Sequence, residues 1–258
     1  MFLERILKKQ YAEVGRRKNK VPLEALLGEL ENHAPVIRPF RQNLRGAKIR
    51  LIAEVKKASP SKGLLCPDFD PVGLGTCYEQ AGAAGISVLT EEEFFLGSLD
   101  NLKLVKEKTA RTPVLRKDFI VDPYQLVEAR LYGADAVLLI VAALLPEQLR
   151  MLITETGKLG MDALVEVHDA REVKVALDCG ATLIGINNRN LQSFKVDLET
   201  TFQLQAAIPA AIARVSESGI STRYDIQKLE AAGVDAVLIG ESLVTAADPA
   251  EKIKELFE

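Results

Sequence analysis

The sequence predicts an α/β fold, a closed (β/α)8 barrel preceded by a helical N-terminal extension, and three observations carry that expectation. Short runs rich in Val, Ile and Leu alternate along the chain with amphipathic helical stretches. Such runs suit parallel strands covered by helices, and alternation at this pitch argues for βαβ units. A Gly-Ala or Gly-Val pair leads into an apolar run at Gly82, Gly133, Gly180 and Gly233, in steps of 51, 47 and 53 residues. Each step holds about two βα units, so four echoes with four intervening strands make eight. The length of 258 residues agrees, because eight such units occupy roughly 250 residues in a TIM barrel. The alternative is a doubly wound open sheet. No Gly-x-Gly-x-x-Gly follows the first strand, which counts against it.

The elements can be read in order. Residues 1–48 precede the first strand, and Phe2–Arg17 and Pro22–Leu30 have helical patterning. The basic run from Arg16 to Lys20 between them reads as a solvated helix end. Strands are expected near Ile49–Lys56, Ile86–Thr90, Pro113–Lys117, Asp135–Val141, Asp162–Val167, Leu183–Asn187, Ala211–Ser216 and Asp235–Ile239. Helical segments include Pro123–Tyr132, Pro146–Leu159, Ala170–Asp178 and Thr222–Ala231. The four echo glycines fit the left-handed position that ends a helix before a tight turn. No linker or low-complexity stretch intervenes, so residues 1–258 are expected to form one domain.

Composition narrows the function. The chain is 48% hydrophobic, and 33 Lys plus Arg against 36 Asp plus Glu give a net charge of -3. That balance offers no general attraction for nucleic acid or an anionic membrane, so an anionic ligand must be caught by local groups. Cys66, Cys77 and Cys179 are widely spaced and read as buried small apolar residues. Two histidines, His33 and His168, are too few for a His-based metal site, and neither metal nor cofactor is expected. No apolar run approaches the roughly 20 residues of a membrane span, and the charged N-terminus lacks a signal-peptide core. A soluble cytoplasmic protein acting on a small molecule is expected. Oligomeric state is not legible, and a monomer is the working expectation.

In this fold, function sits at the C-terminal ends of the strands and the loops that follow. Side chains alternate along a strand. In the first strand Ile52, Glu54 and Lys56 therefore share one face, and Leu51, Ala53 and Val55 the other. The second face suits helices, which leaves Glu54 and Lys56 pointing into the barrel mouth. The same parity pairs Leu115 with Lys117, Leu164 with Glu166, Gly185 with Asn187, and Ala236 with Leu238 and Gly240. The seventh strand is ambiguous: Arg214, Ser216 and Ser218 oppose Ala213 and Val215, and its register does not follow from the pattern. Two lysines, two glutamates and an asparagine thus gather at the mouth. A structural ion-pair network is one reading. Acid–base chemistry is the other, with one lysine lowering the pKa of the next and desolvation raising that of a glutamate.

Glycine-containing turns follow the first, seventh and eighth strands, at Ser59–Gly63, Glu217–Ser221 and Ile239–Ser242. The last two stand where this fold often holds a phosphate on backbone N–H groups. Glu241 would then use its N–H and turn its carboxylate away.

The segment Glu54-Val55-Lys56-Lys57-Ala58-Ser59-Pro60-Ser61 resembles the E-x-K-x-x-S-P-S signature of the indole-3-glycerol-phosphate synthase family. Ser87-Val88-Leu89-Thr90-Glu91, Phe95-Leu96-Gly97-Ser98 and Leu115-Arg116-Lys117-Asp118-Phe119-Ile120 extend the likeness, in family order. So do Gly185-Ile186-Asn187-Asn188-Arg189-Asn190-Leu191, Glu217-Ser218-Gly219-Ile220 and Leu238-Ile239-Gly240-Glu241-Ser242. The resemblance implies a lyase that closes, decarboxylates and dehydrates 1-(2-carboxyphenylamino)-1-deoxyribulose 5-phosphate to indole-3-glycerol phosphate in tryptophan biosynthesis. It implies Lys117 as general acid, Glu166 as general base, Lys56 as an anion grip that assists proton transfer, and Glu54 in dehydration. Asn187 would orient the reacting hydroxyl. Ser59, Phe95, Arg189, Ser218 and Leu238 would contact substrate, with Ser218, Gly219, Gly240 and Glu241 at the phosphate. Rival readings are a Schiff-base aldolase using Lys117 or Lys56, the related phosphoribosylanthranilate isomerase barrel, and a silent phosphate-ligand binder.

Overall fold

Each apolar run becomes a strand in the computed structural model, which describes residues 2–191 and 193–258. The strands are β1 (Arg50–Val55), β2 (Gly85–Leu89), β3 (Val114–Lys117), β4 (Ala136–Ile140), β5 (Asp162–Val167), β6 (Leu183–Asn187), β7 (Ala213–Glu217) and β8 (Ala236–Ile239). Each pairs in parallel with the next, and β8 returns to β1, so the sheet closes as a TIM barrel. Register sets Glu54 beside Ser87, Ile140 beside Glu166, and Asn187 beside Glu217. Polar residues from several strands therefore end at one level.

Helices α1 (Phe2–Lys20), α2 (Leu23–His33) and α3 (Phe40–Asn43) precede the barrel. The rest follow as α4 (Pro71–Gln80), α5 (Leu99–Lys108), α6 (Pro123–Leu131), α7 (Pro146–Lys158), α8 (Ala170–Asp178), α9 (Glu199–Leu204), α10 (Arg223–Ala231), α11 (Glu241–Val244) and α12 (Pro249–Phe257). Local chemistry sets their ends. Asp122 accepts from Tyr124 N at 2.9 Å with Pro123 in the first turn, the pre-organised start that proline favours. At the far end of α4, Ala83 N donates to Tyr78 O and Gly82 N to Glu79 O, closing a Schellman turn. Gly82, Gly133, Gly180 and Gly233 all have φ between 78° and 90°, as their place in the echo requires.

Apolar packing falls into two shells. Leu51, Ala53 and Val55 of β1 pack outward among the helices, whereas Ile52, Leu115, Leu164, Val215 and Leu238 fill the barrel interior. Helix α3 was not foreseen in the sequence, and it plugs the N-terminal end. Phe40 and Leu44 are fully buried with the interior residues, each contributing roughly 1.5–3 kcal/mol by burial. Gly85 makes room for this plug, since a Cβ there would lie 2.9 Å from the Phe40 ring.

The basic run forms the last turn of α1, with Arg16, Asn19 and Lys20 exposed as expected of a solvated helix end. Arg17 departs from this, reaching Glu13, Glu92 and Glu128 at 2.8, 3.3 and 3.4 Å. One expectation is corrected. Of the cysteines only Cys179 is buried, while Cys66 and Cys77 are partly exposed.

Candidate active site

The C-terminal strand ends surround a cavity of about 410 Å³. Its charged floor follows from strand parity. Glu54 and Lys56 rise from β1 on the side of Ile52, and Lys56 Nζ lies 2.6 Å from Glu54 Oε1. Lys117 closes β3, with its Nζ 3.2 Å from both Glu166 Oε2 and Glu217 Oε2. The two glutamates are each 2% exposed, so their charges are met by neighbours rather than by solvent. Asn187 ends β6 and accepts from Arg189 N at 3.0 Å. Leu138, Ile140 and Leu238 supply an apolar wall, with Phe95 and Phe119 at 6.4 Å between ring centres.

Every residue proposed from the sequence lines this cavity: Glu54, Lys56, Ser59, Phe95, Lys117, Glu166, Asn187, Arg189, Ser218, Gly219, Leu238, Gly240 and Glu241. The turns after β7 and β8 are adjacent. Ser218 and Gly219 both adopt left-handed φ, 70° and 81°, which costs energy at the serine and little at the glycine. The Glu241 carboxylate is taken up by Lys62, in close contact, and by Arg189 at 3.9 Å.

Glu217 is the residue that sequence parity missed. Ala213 and Val215 face the interior, so Glu217 does too, while Ser216 points outward to Asn188 and Thr201. The available signal was the pair of apolar residues, Ala213 and Val215, alternating toward that glutamate. Gly185 on the neighbouring β6 leaves room for it: a Cβ there would lie 2.1 Å from Glu217 Oε1. The place of α1 at the cavity was missed as well, although the helix itself was expected. Phe2, Leu3 and Ile6 line the cavity, and Phe2 meets Phe94 and Phe194 edge-on at 5.3 and 5.2 Å.

The electrostatics correct two further expectations. A neighbouring lysine was to lower the pKa of Lys117. Burial does pull it down, but Glu217, Glu166 and Glu54 outweigh burial and hold it above the ordinary range. Desolvation was expected to raise a glutamate of the mouth, yet Glu166 moves the other way. Burial pushes Glu166 up, but Lys117, His168 and Asn187 together hold it well below the carboxylate range. Glu217 is pushed up to about 7 by burial, with Lys117 opposing and Glu166 adding to the rise. Glu166 is thus drawn toward its ionised form and Glu217 toward its protonated form. Gly240 is also not free space for an anion alone: a Cβ there would lie 2.2 Å from Glu54 Oε1 and 2.9 Å from Lys56 Nζ.

Comparison with known proteins places the fold and the family. The barrel is similar to a tryptophan synthase alpha-subunit variant from Pyrococcus furiosus, with a TM-score of 0.61 and 15% identity over 82% of this chain and 98% of that one. A KDPGal structure aligns with a TM-score of 0.58 and 18% identity over 82% and 92%. At those identities the likeness concerns the fold alone. Sequence relatives are nearer. An indole-3-glycerol phosphate synthase from Dehalococcoides mccartyi is 53% identical over 260 residues, covering 100% of both chains. One from Chlorobium luteolum is 51% identical over 249 residues, covering 96% of this chain and 94% of its own. The family model for indole-3-glycerol phosphate synthase matches residues 3–256, and the chain belongs to that family.

Proposed function

We propose that the cavity closes the indole ring by proton transfer among its own lysines and glutamates. The protein is a carboxy-lyase of tryptophan biosynthesis acting on a phosphorylated small molecule. The observation that carries the residue roles is the Lys117 ammonium, held between two buried carboxylates at an apolar-walled mouth.

In the first step the ring carbon bearing the carboxylate bonds to the ketone carbon, and the ketone oxygen takes a proton from Lys117. Glu217, 3.2 Å from Lys117 Nζ, is placed to return a proton to it. Carbon dioxide then leaves the ring carbon, and the electron pair it leaves restores the aromatic ring. Finally the new hydroxyl departs as water while a base removes a proton from the neighbouring carbon. Glu166, kept ionised, is the general base, and Glu54 takes part in this dehydration with Lys56 as proton donor and anion grip. Asn187 orients the hydroxyl. These steps need charge management and proton transfer, which the side chains supply without a metal or organic cofactor.

Binding at both ends would fold the flexible substrate into a reactive pose. Phe95 and Leu238 take the aromatic ring, Arg189 its carboxylate, and Ser59 lies at the β1 loop. Ser218, Gly219, Gly240 and Glu241 take the phosphate through N–H and hydroxyl groups. The same proposal treats residues 1–258 as one domain, monomeric and cytoplasmic, in keeping with the balanced charge and sparse cysteines. Lys117→Ala should lower kcat by roughly 10²–10⁴-fold. Near-normal turnover in that variant would remove Lys117 from the chemistry.

A further inference from the structure

His168 stands two residues beyond Glu166, where the chain leaves β5. Asp169 then caps α8 by accepting from Arg171 N and Glu172 N at 2.8 and 2.9 Å. That turn swings Glu172 back onto His168. Glu172 Oε2 accepts from His168 N at 2.7 Å and lies 3.0 Å from its Nδ1. Nε2 of the same ring is 3.2 Å from Glu166 Oε1, close enough for an ion pair though not aligned as a hydrogen bond. The Glu166 side chain lines the cavity and His168 does not. The result is a line of alternating charge, Glu172–His168–Glu166–Lys117, with only its last two members at the substrate.

The two cations on Glu166 are not equivalent. Lys117 divides its charge between Glu166 and Glu217, both at 3.2 Å. His168 gives its second face to Glu172, which is at the helix end and outside the cavity. When Lys117 surrenders its proton, His168 is therefore the cation that stays. We propose that His168, gripped by Glu172, is a positioning residue for the base: a standing imidazolium that keeps Glu166 ionised and aims its carboxylate. This rests on the reading of Glu166 as the general base.

Charged groups around the pair agree with that role. On α8 they are Glu172 and Asp169, the latter engaged with the helix N–H groups and with Arg171 at 3.2 Å. Facing Glu166 are Lys117 of β3, Asn187 of β6 and Glu217 of β7. The segment Val141–Ala143, packed against α8, carries no titratable side chain. Burial alone would discharge the imidazole, but Glu166 and Glu172 outweigh it and lift His168 to about 10.

The test compares wild type, His168→Gln, Glu172→Gln and Glu166→Gln over pH 3–9, with melting curves for each. It adds nitrogen-15 spectra of the wild-type imidazoles. The chain has two histidines, so a His33→Asn variant assigns the signals. His168 is expected to remain imidazolium at pH 7.5. In His168→Gln, kcat at neutral pH should fall about ten- to hundredfold with KM within about threefold, and its acidic limb should rise toward the ordinary carboxylate range. Glu172→Gln should move the limb the same way by less. A neutral His168 ring at pH 7.5, or a folded His168→Gln enzyme with the wild-type limb and kcat, would overturn the proposal. If Glu166→Gln itself turns over normally, the reading beneath it fails instead.

Discussion

Gly185→Ala perturbs the site through a single methyl group. The added Cβ would lie 2.1 Å from Glu217 Oε1 and 3.2 Å from Leu164 Cδ1, where ordinary contact begins near 3.4 Å. The carboxylate must therefore retreat by about 1.3 Å, the difference between 3.4 and 2.1 Å. Its other oxygen is held at 3.2 Å by Lys117, so the retreat disturbs the proposed acid as well. A misplacement of about 1 Å typically costs on the order of 10²-fold in rate. Overpacking of this kind costs about 1–3 kcal/mol, and in a protein of this length each kcal/mol lowers Tm by roughly 2–4 °C. Indole fluorescence gives kcat and KM, and a melting curve gives the stability. The expected result is a kcat about 10²-fold lower and a Tm down by several degrees. Adding Glu217→Ala should remove the clash and restore most of the Tm. A Gly185→Ala enzyme with kcat within about twofold of wild type would refute the placement of Glu217 in the chemistry.

Asp135 is 1% exposed at the start of β4 and accepts from Lys106 Nζ at 2.6 and 2.8 Å and from Arg38 N and Val114 N at 2.7 Å. Asp135→Ala should cost about 3–5 kcal/mol in urea unfolding by stranding a buried lysine, with kcat little changed because this is the barrel end opposite the cavity. Gly240→Ala should lower kcat as well as raise KM, since its methyl meets the Glu54–Lys56 pair; a pure KM effect would point to the phosphate alone. His168 has a folded pKa raised from 6.5 to about 10, so its stabilising contribution is full below about pH 6.5 and lost as pH rises through about 10. Unfolding free energy should therefore decline over that window, and the decline should be shallower in His168→Gln.

The barrel and most of its mouth were legible because period-2 parity is unforgiving: a slip of one residue in β1 would have turned Glu54 outward and Leu51 inward. The parity of β3, β5, β6 and β8 placed Lys117, Glu166, Asn187 and Gly240 for the same reason. In β7 the outward Arg214 and Ser216 are polar because the Arg214 guanidinium donates to Gln205 and pairs with Asp235 while Ser216 bonds Thr201, so polarity no longer marked the inner face. Glu217 was lost in that ambiguity. The direction of the Lys117 shift was hidden as well, since it depends on three glutamates from three strands that only closure brings together. Helix α3 escaped notice because four residues carry no period. The role of Gly240 as space for Glu54 is a distance, which no local pattern encodes.

The central claim is that this cluster converts one anilino sugar phosphate by proton transfer alone. The direct measurement mixes purified protein with 1-(2-carboxyphenylamino)-1-deoxyribulose 5-phosphate, with borohydride in a parallel sample, and follows indole fluorescence and released carbon dioxide together. The account predicts one carbon dioxide for each indole formed and no borohydride-trapped lysine. Release of carbon dioxide without indole, no reaction at all, or a substrate adduct fixed on Lys117 or Lys56 would contradict it.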